Sequence, residues 1–553
     1  MTGPDILTER YGIQNPVVQE LEGYASINTR VQAADGKIYV WKQNSDTPLE
    51  RAFLEAENQV LLRLSGQLPY DFPVPQKDRN GQCLSVTEKP DGSRTLHRLL
   101  CFVEGAFFDR VTPTEKLFAS LGTFLAQLDR NLLGFRHPGI EARRLQWDLK
   151  HLDIPLQYLP HIDDPRRCKW VEYFYLQFNE VVVPKLSSLR WSVIHGDGNA
   201  QNLLTTGGRV SGIIDFGDMS YTPLVNEAAI ALTYAMMGKA DPLTWAGYVL
   251  RAYTAELPLE KAEVDLLYHL VAGRLCASVC SSAHAKTVKP DSDYVTLSEK
   301  PAWELLERWL TFNPRAVTAA FTAAAGLERS APPDIDRELA RRDAYFSRAL
   351  SVSYAEPLKM EGAAFQYMYD TAGDTYLDAY NNIPHVGHCH PQVVQAGRAH
   401  MARLNTNTRY LYDSLHDYSE RLLALFPEPL SKIFYVNSGS AAADLAIRLA
   451  RTHTGRRAVM VLEHGYHGNT ATGIEISAYK FEHTGGPGQP GHTIKAPLPD
   501  PYRGPYRGAG AGDVAVEGGL DVVAGGSGPR ARRRSRPRRG RDSNGTARIR
   551  VGP

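Results

Sequence analysis

The chain has 553 residues, 43% of them hydrophobic, and a formal net charge of +1. That length implies more than one domain, with ample material for packed cores. Near-neutrality gives no whole-chain case for binding nucleic acid or a membrane surface.

The opening MTGPDILTERYGIQ lacks the basic-then-apolar pattern of a signal peptide. A small polar segment, Gly23 to Thr29, then precedes RVQAADGKIYVWKQ, where Asp35-Gly36 predicts a hairpin between two alternating runs. Phe53, Leu54, Val60, Leu61 and Leu64 recur at helical spacing. LHRLLCFVEGAFF, from Leu96, reads as a strand ending in a turn at Gly105. EKLFASLGTFLAQLDRNL, from Glu115, is an amphipathic helix. Strand-like VIHGD and VSGIIDFGD follow, then helices to about residue 325. APPDIDRELARRDAYFSRAL, from Ala331, reads as a linker running into a helix. A new αβ pattern starts near Ser351, with strand-like FQYMYD and TYLDAY, and later KIFYVNSGS feeding the helix-forming AAADLAIRLART. Beyond Pro505 the chain turns Gly- and Arg-rich with little apolar periodicity, so disorder is expected there. No run approaches the roughly 20 apolar residues that span a bilayer. Six cysteines (Cys83, Cys101, Cys168, Cys276, Cys280, Cys389) form no CxxC pair, which fits a reducing, cytoplasmic setting.

The central motif is HGDGNAQN followed by IIDFGD. Phosphoryl transfer needs a carboxylate to orient and deprotonate a hydroxyl, oxygen ligands for Mg²⁺, and a cation on the nucleotide phosphates. A D-x-x-x-x-N loop followed by a strand ending in D-F-G supplies the first two at adjacent strand ends. Asp197 is therefore the candidate catalytic base, and Asn202 and Asp215 the candidate metal ligands. Lys42 in IYVWK suits the phosphate-binding cation. Glu57 on the next helix is the candidate that holds it, with Glu55 as fallback. The turn at Gly23 to Thr29 could lie over the phosphates, although it is not a G-x-G-x-x-G. His195 reads as a structural residue of the loop, Asp218 as a metal-site support or a turn cap, and Glu227 as a tether.

These residues resemble an aminoglycoside phosphotransferase-type kinase over about residues 15 to 325, a group that includes choline, homoserine and hydroxylysine kinases. The resemblance implies a two-lobed protein-kinase-like fold, ATP and Mg²⁺. It places the adenine-binding hinge near Phe102 to Glu104.

A second resemblance covers about Ser351 to Arg503. YDTAGDTYLDAYNNIPHVGHCHPQVVQA, LNTNTRYLYD and VNSGSAAADLAIRLARTHTGRRAVMVLEHGYHGNT are similar to the N-terminal part of a class III aminotransferase, in the alanine–glyoxylate aminotransferase and phosphoethanolamine phospho-lyase branch. Asn437 to Ser440 lie where a strand should give way to a helix, a favourable place for the 5′-phosphate of pyridoxal phosphate. The resemblance gives Gly439 and Ser440 to that phosphate and stacks Tyr466 on the pyridine ring. The family's SGSEAN is SGSAAA here, so Ala441 and Ala443 replace polar residues. The resemblance places the Schiff-base lysine far downstream of YHG, so Lys480 and Lys495 come too soon to be that lysine, no transamination by this chain is expected, and a partial domain would leave apolar surface uncovered. The change of character after PYRGPYRG suggests a reading-frame shift in a GC-rich gene; the rival is a basic arm contacting nucleic-acid phosphates through RARRRSRPRRGR. Sequencing the gene across that junction decides between them.

The expected fold class is therefore α/β and α+β multidomain: a bilobal protein-kinase-like domain, an incomplete fold-type I PLP-transferase domain and a disordered basic tail. The expected boundaries are 1–330 for the kinase (N-lobe to about 103, C-lobe from about 104), 331–350 for a linker helix, 351–504 for the partial aminotransferase and 505–553 for the tail. The expected substrate is a small amino alcohol, hydroxylysine- or ethanolamine-like. No membrane or nucleic-acid partner is expected, and the PLP-type domain could form a homodimer. The competing readings are a nucleotide-binding pseudokinase, and a parent protein whose PLP activity dominates.

Overall fold

In the computed structural model, which describes residues 3–21, 26–88, 90–288, 299–381, 385–500, 502–504 and 548–549, the helix Gly3–Tyr11 precedes an antiparallel sheet. Its order is Val17–Leu21, Ile27–Gln32, Ile38–Ser45, Arg94–Cys101 and Pro75–Gln76, with Ser85–Glu88 also pairing to Arg94–Cys101. The hairpin turns where Asp35-Gly36 predicts it. Gly36 has φ of 85°, which a side chain would resist, and the Lys37 N–H donates to Asp35 Oδ1 at 3.1 Å. The helix Pro48–Gln67 follows the strand Ile38–Ser45. Thr47 caps it by accepting from the Glu50 N–H, and Phe53, Leu54, Val60, Leu61 and Leu64 all point inward, as their spacing predicts.

The C-lobe is mainly helical. The helix Glu115–Leu132 has the bounds its apolar periodicity implies, and Thr114 caps it through the Leu117 N–H. It packs on Pro242–Glu256 so closely that a Cβ on Gly122 would lie 2.1 Å from the Val249 carbonyl oxygen, so only glycine fits. Val225–Met236 and Leu267–Val288 are buried on nearly every side, as helices apolar all round must be. Two small sheets carry the central motif. Trp191–Ile194 pairs with Ser220–Pro223, and Leu203–Thr206 lies between Arg209–Ile213 and Ala106–Phe107.

The compact unit runs past the boundary expected at residue 330. Contacts gather residues 1–404 and 543–553 into one unit and residues 405–542 into another. After the helix Ile335–Tyr345, the strands Met360–Ala364, Tyr367–Asp370 and Thr375–Leu377 form an antiparallel sheet in the first unit. Its turn is set by Asp370, whose Oδ1 accepts from the N–H groups of Ala372, Gly373 and Asp374. Tyr369 is 3% exposed and donates to the Leu310 carbonyl at 2.6 Å. Asn313 donates from Nδ2 to the carbonyls of Asp370 and Asp374, both at 2.8 Å. Ala364 and Tyr369 belong to the same buried cluster as the C-lobe helices.

The second unit has the helices Asp413–Leu423 and Gly439–Thr454 and a parallel pair, Val459–Leu462 with Thr493–Ala496. KIFYV, read as a strand before the helix, is not one among the described residues. A buried parallel strand needs hydrogen-bonded neighbours, and none of the described residues pairs with it, so Phe434 is left 66% exposed. Of the tail, only Arg548–Ile549 is described, paired with Thr375–Leu377; the disorder expected for the rest, and the Gly23 to Ala25 part of the polar turn, lie outside the described residues. Among the described residues no helix is long and apolar enough to cross a membrane.

Candidate active site

The HGDGNAQN loop leaves the strand Trp191–Ile194 at His195. This ring is fully buried, accepts from the Asp197 N–H through Nδ1 at 3.2 Å and lies 3.2 Å through Nε2 from the Ile214 carbonyl. The carbonyl can only accept, so the Nε2–H tautomer follows. His195 thus ties the loop to the strand end that carries Asp215. Gly196 has φ of 77°, and a Cβ there would lie 2.9 Å from the Asp218 carbonyl oxygen. Its N–H donates to Glu227 Oε2 at 3.0 Å, which makes Glu227 the tether its position suggests.

Asp197 is held from three sides. Its Oδ2 accepts from Asn199 Nδ2 at 2.8 Å and from Asn202 Nδ2 at 2.7 Å. Its Oδ1 accepts from Arg274 Nη2 at 2.8 Å. Because the Asn202 amide spends Nδ2 on Asp197, its Oδ1 is the atom available to a cation. Asp215 stands at the next strand end with φ of 60° and ψ of 76°, a left-handed conformation that Asp tolerates better than most residues. Lys42 Nζ lies 3.6 Å from its Oδ1. Desolvation opposes ionisation of Asp215, but Lys42, His195 and the Gly217 N–H outweigh it and hold its carboxyl below the ordinary value.

The donor set suits Mg²⁺: one amide oxygen and one carboxylate, both hard, with nucleotide phosphates and waters left to complete an octahedron. Among the described residues no group of three or more His, Cys, Asp or Glu forms a self-contained metal cage.

Glu57 does not hold Lys42. Its Oε2 lies 2.9 Å from Arg98 Nη2, with both side chains almost wholly buried. Arg98 sits opposite Lys42 in the strand register and also donates to Asn58 Oδ1 at 3.2 Å. A buried carboxylate is best satisfied by a guanidinium fork, and the arginine on the neighbouring strand supplies it. Glu55 is exposed and offers no substitute. Breaking this pair by Glu57→Ala leaves a buried, unpaired arginine, and about 3–5 kcal/mol of stability should go with it. A urea midpoint unchanged from the parent would refute this.

Phe102 and Glu104, the expected hinge residues, are exposed after the strand Arg94–Cys101, with Arg30 over the Phe102 ring at 5.8 Å. Asp218 is pushed up to about 7, first by desolvation and then by Asp197 and Asp215, so it feels both carboxylates. An acid with a folded pKa above its unfolded value costs stability as pH rises between the two. Metal-free protein should therefore weaken from about pH 4 to pH 7 through this group, and Asp218→Asn should flatten that loss. Urea midpoints at both pH values in a chelating buffer test it.

Sequence reasoning missed Arg98, Asn199 and Arg274. The signal for Arg274 was present: one arginine inside the apolar run LVAGRLCASV, where a charge must find a buried partner.

In the second unit Ser438 caps the helix Gly439–Thr454 through the Ala441 N–H at 3.1 Å, and Ser440 Oγ accepts from the Asn469 N–H at 3.1 Å. The YHGN loop thus comes onto the helix start, and the first-turn N–H groups offer an anion cradle. Tyr466, however, is 54% exposed, edge-on to Tyr479 with Lys480 Nζ 5.7 Å from its ring. The helix start thus offers donors that suit a phosphate, while the Tyr466 ring is half open to solvent.

The sequence matches "Phosphotransferase enzyme family" over residues 18–265 and "Aminotransferase class-III" over residues 351–517. It is 30% identical over 318 residues to hydroxylysine kinase of Danio rerio, covering 55% of this chain and 89% of that protein. It is 46% identical over 166 residues to alanine–glyoxylate aminotransferase 2-like of Drosophila melanogaster, covering 30% of this chain and 34% of that protein. The chain spans about a third of the length of the curated aminotransferase-type relatives it matches. A solved aminopropanol kinase aligns over 59% of this chain and 98% of its own at 18% identity, with a TM-score of 0.43. The chain therefore belongs to the phosphotransferase enzyme family and carries a class-III aminotransferase segment after that region.

Proposed function

We propose that the first unit transfers the terminal phosphoryl group of ATP to the hydroxyl of a small amino alcohol, hydroxylysine- or ethanolamine-like. The observation that carries this reading is the Asp197 carboxylate, fixed by Asn199, Asn202 and Arg274 beside the strand end that bears Asp215. Asp197 accepts the hydroxyl proton as the oxygen attacks phosphorus. Asn202 Oδ1 and Asp215 would hold Mg²⁺, and Lys42 the nucleotide phosphates, with the base stacked near Phe102 and Glu104. Mg²⁺ when bound supplies neutralisation of the charge on the transferred group. Most of the acceleration comes from alignment and fixed charge. The hydroxylysine kinase match supports the acceptor class.

For residues 351–504 we propose that this sequence alone performs no pyridoxal phosphate chemistry, because the Tyr466 ring is 54% exposed and Lys495 is engaged in an ion pair with Glu482. An aldimine absorbance band on adding the cofactor, lost with a specific lysine, would contradict that. The main test is ATP consumption by the full chain with hydroxylysine, ethanolamine, choline, homoserine and aminoglycosides. Turnover is expected with an amino alcohol, and no stimulation by any of these acceptors would overturn the reading.

A further inference from the structure

The helix Leu267–Val288 brings a buried cation to the catalytic loop from far along the sequence. Arg274 is 1% exposed. Its Nη2 donates to Asp197 Oδ1 at 2.8 Å and to the Tyr234 hydroxyl at 2.9 Å, and its Nη1 donates to the Trp147 carbonyl at 3.1 Å. The rings of Trp147 and Tyr234 flank the guanidinium carbon at 4.8 and 5.4 Å. Such a fork, clamped between two aromatic residues and a backbone carbonyl, has little freedom to turn.

A carboxylate has about four acceptor directions. Arg274, Asn199 and Asn202 occupy three of those on Asp197. One direction is left, on the oxygen that Arg274 holds. A guanidinium that served instead as a receptor for a substrate carboxylate would need two parallel N–H groups free. Here both Nη groups already donate to the protein, and Nε alone lacks a partner among the described residues.

We propose that Arg274 is a positioning residue of the phosphotransferase: it fixes the rotation of the Asp197 carboxylate so that its remaining lone pair faces the acceptor hydroxyl. This rests on the reading of Asp197 as the base. With both Nη groups committed to the protein and 1% of its surface exposed, Arg274 is closed to nucleotide and acceptor, so its removal should act on kcat and leave both KM values nearly unchanged. Misplacement of a reacting group by about 1 Å costs on the order of 10²-fold, and that is the scale expected for Arg274→Gln. Arg274→Lys keeps the charge but loses the fork, and should fall between the two.

The experiment compares Arg274→Gln, Asp197→Asn and the double variant in the full chain, using the amino alcohol that gives turnover. The proposal expects a kcat loss of about 10²-fold in Arg274→Gln at KM values within about threefold of the parent. It also expects no further loss when Arg274→Gln is added to Asp197→Asn. A kcat within about threefold of the parent, a loss confined to KM, or a full additional loss in the double variant would each overturn it. If Asp197→Asn itself keeps full activity, the reading of the base fails instead, which separates the two claims. Should Arg274→Gln not fold, Tyr234→Phe decides. It removes one of the two groups steering Nη2, so a severalfold kcat loss supports the proposal and parent-level kcat overturns it.

Discussion

Replacing Asp197 by asparagine should lower phosphoryl transfer by about 10²–10⁴-fold, the usual span for removal of a general base, while the fold survives. The choice of asparagine follows from the structure. Asp197 is the counter-ion of a buried arginine, with N–O contact at 2.8 Å and side-chain exposures of 17% for Asp197 and 1% for Arg274. An alanine there would abolish the base and also strand Arg274, at about 3–5 kcal/mol. Asparagine keeps one oxygen for the guanidinium while losing the basic lone pair. Asp197→Asn should thus be inactive and folded, and Asp197→Ala inactive and markedly less stable. Turnover with a saturating acceptor and urea denaturation measure the two effects separately. Activity of Asp197→Asn within a few-fold of the parent would end the assignment.

The second large effect is expected far from the chemistry. Tyr369 lies in the segment that matches the aminotransferase class, yet it is buried against the C-lobe helices and donates to the Leu310 carbonyl. Tyr369→Ala removes a buried aromatic ring and should cost about 3–5 kcal/mol. Tyr369→Phe loses only the hydrogen bond and should cost about 1–3 kcal/mol through the unsatisfied Leu310 carbonyl. In both variants kcat at low temperature should stay near the parent value, because no residue of the catalytic loop is touched. A urea midpoint for Tyr369→Ala equal to the parent's would show that the contact adds nothing to stability.

Local signals in the sequence were read well because local physics fixes them. Asp35-Gly36 needs no distant partner to turn, and the helix Glu115–Leu132 declares its face and its Thr114 cap within one window. The candidate loop was traceable for the same reason: Asp197, Asn202 and Asp215 lie within one strand–loop–strand stretch. What failed was partnership across the fold. Glu57 sits on the right helix face, but nothing near it in sequence shows that Arg98, and not Lys42, carries the fork that meets it. KIFYV has every feature of a strand, and a strand is made by its neighbours. Arg274 advertised itself as a charge in an apolar helix, while its partner lay 77 residues away. The extension of the first unit beyond residue 330 was equally hidden, since Asn313 meets two carbonyls that lie 57 and 61 residues further on.

That last contact bears on how the protein is made. The C-lobe cannot bury Tyr369 until the chain has been synthesised well beyond its last helix, Pro314–Ala324. At about 5–20 residues per second, the nascent lobe spends seconds with that apolar face open while the ribosome still holds the segment that closes it. A translational pause just after Ala324 would lengthen that interval.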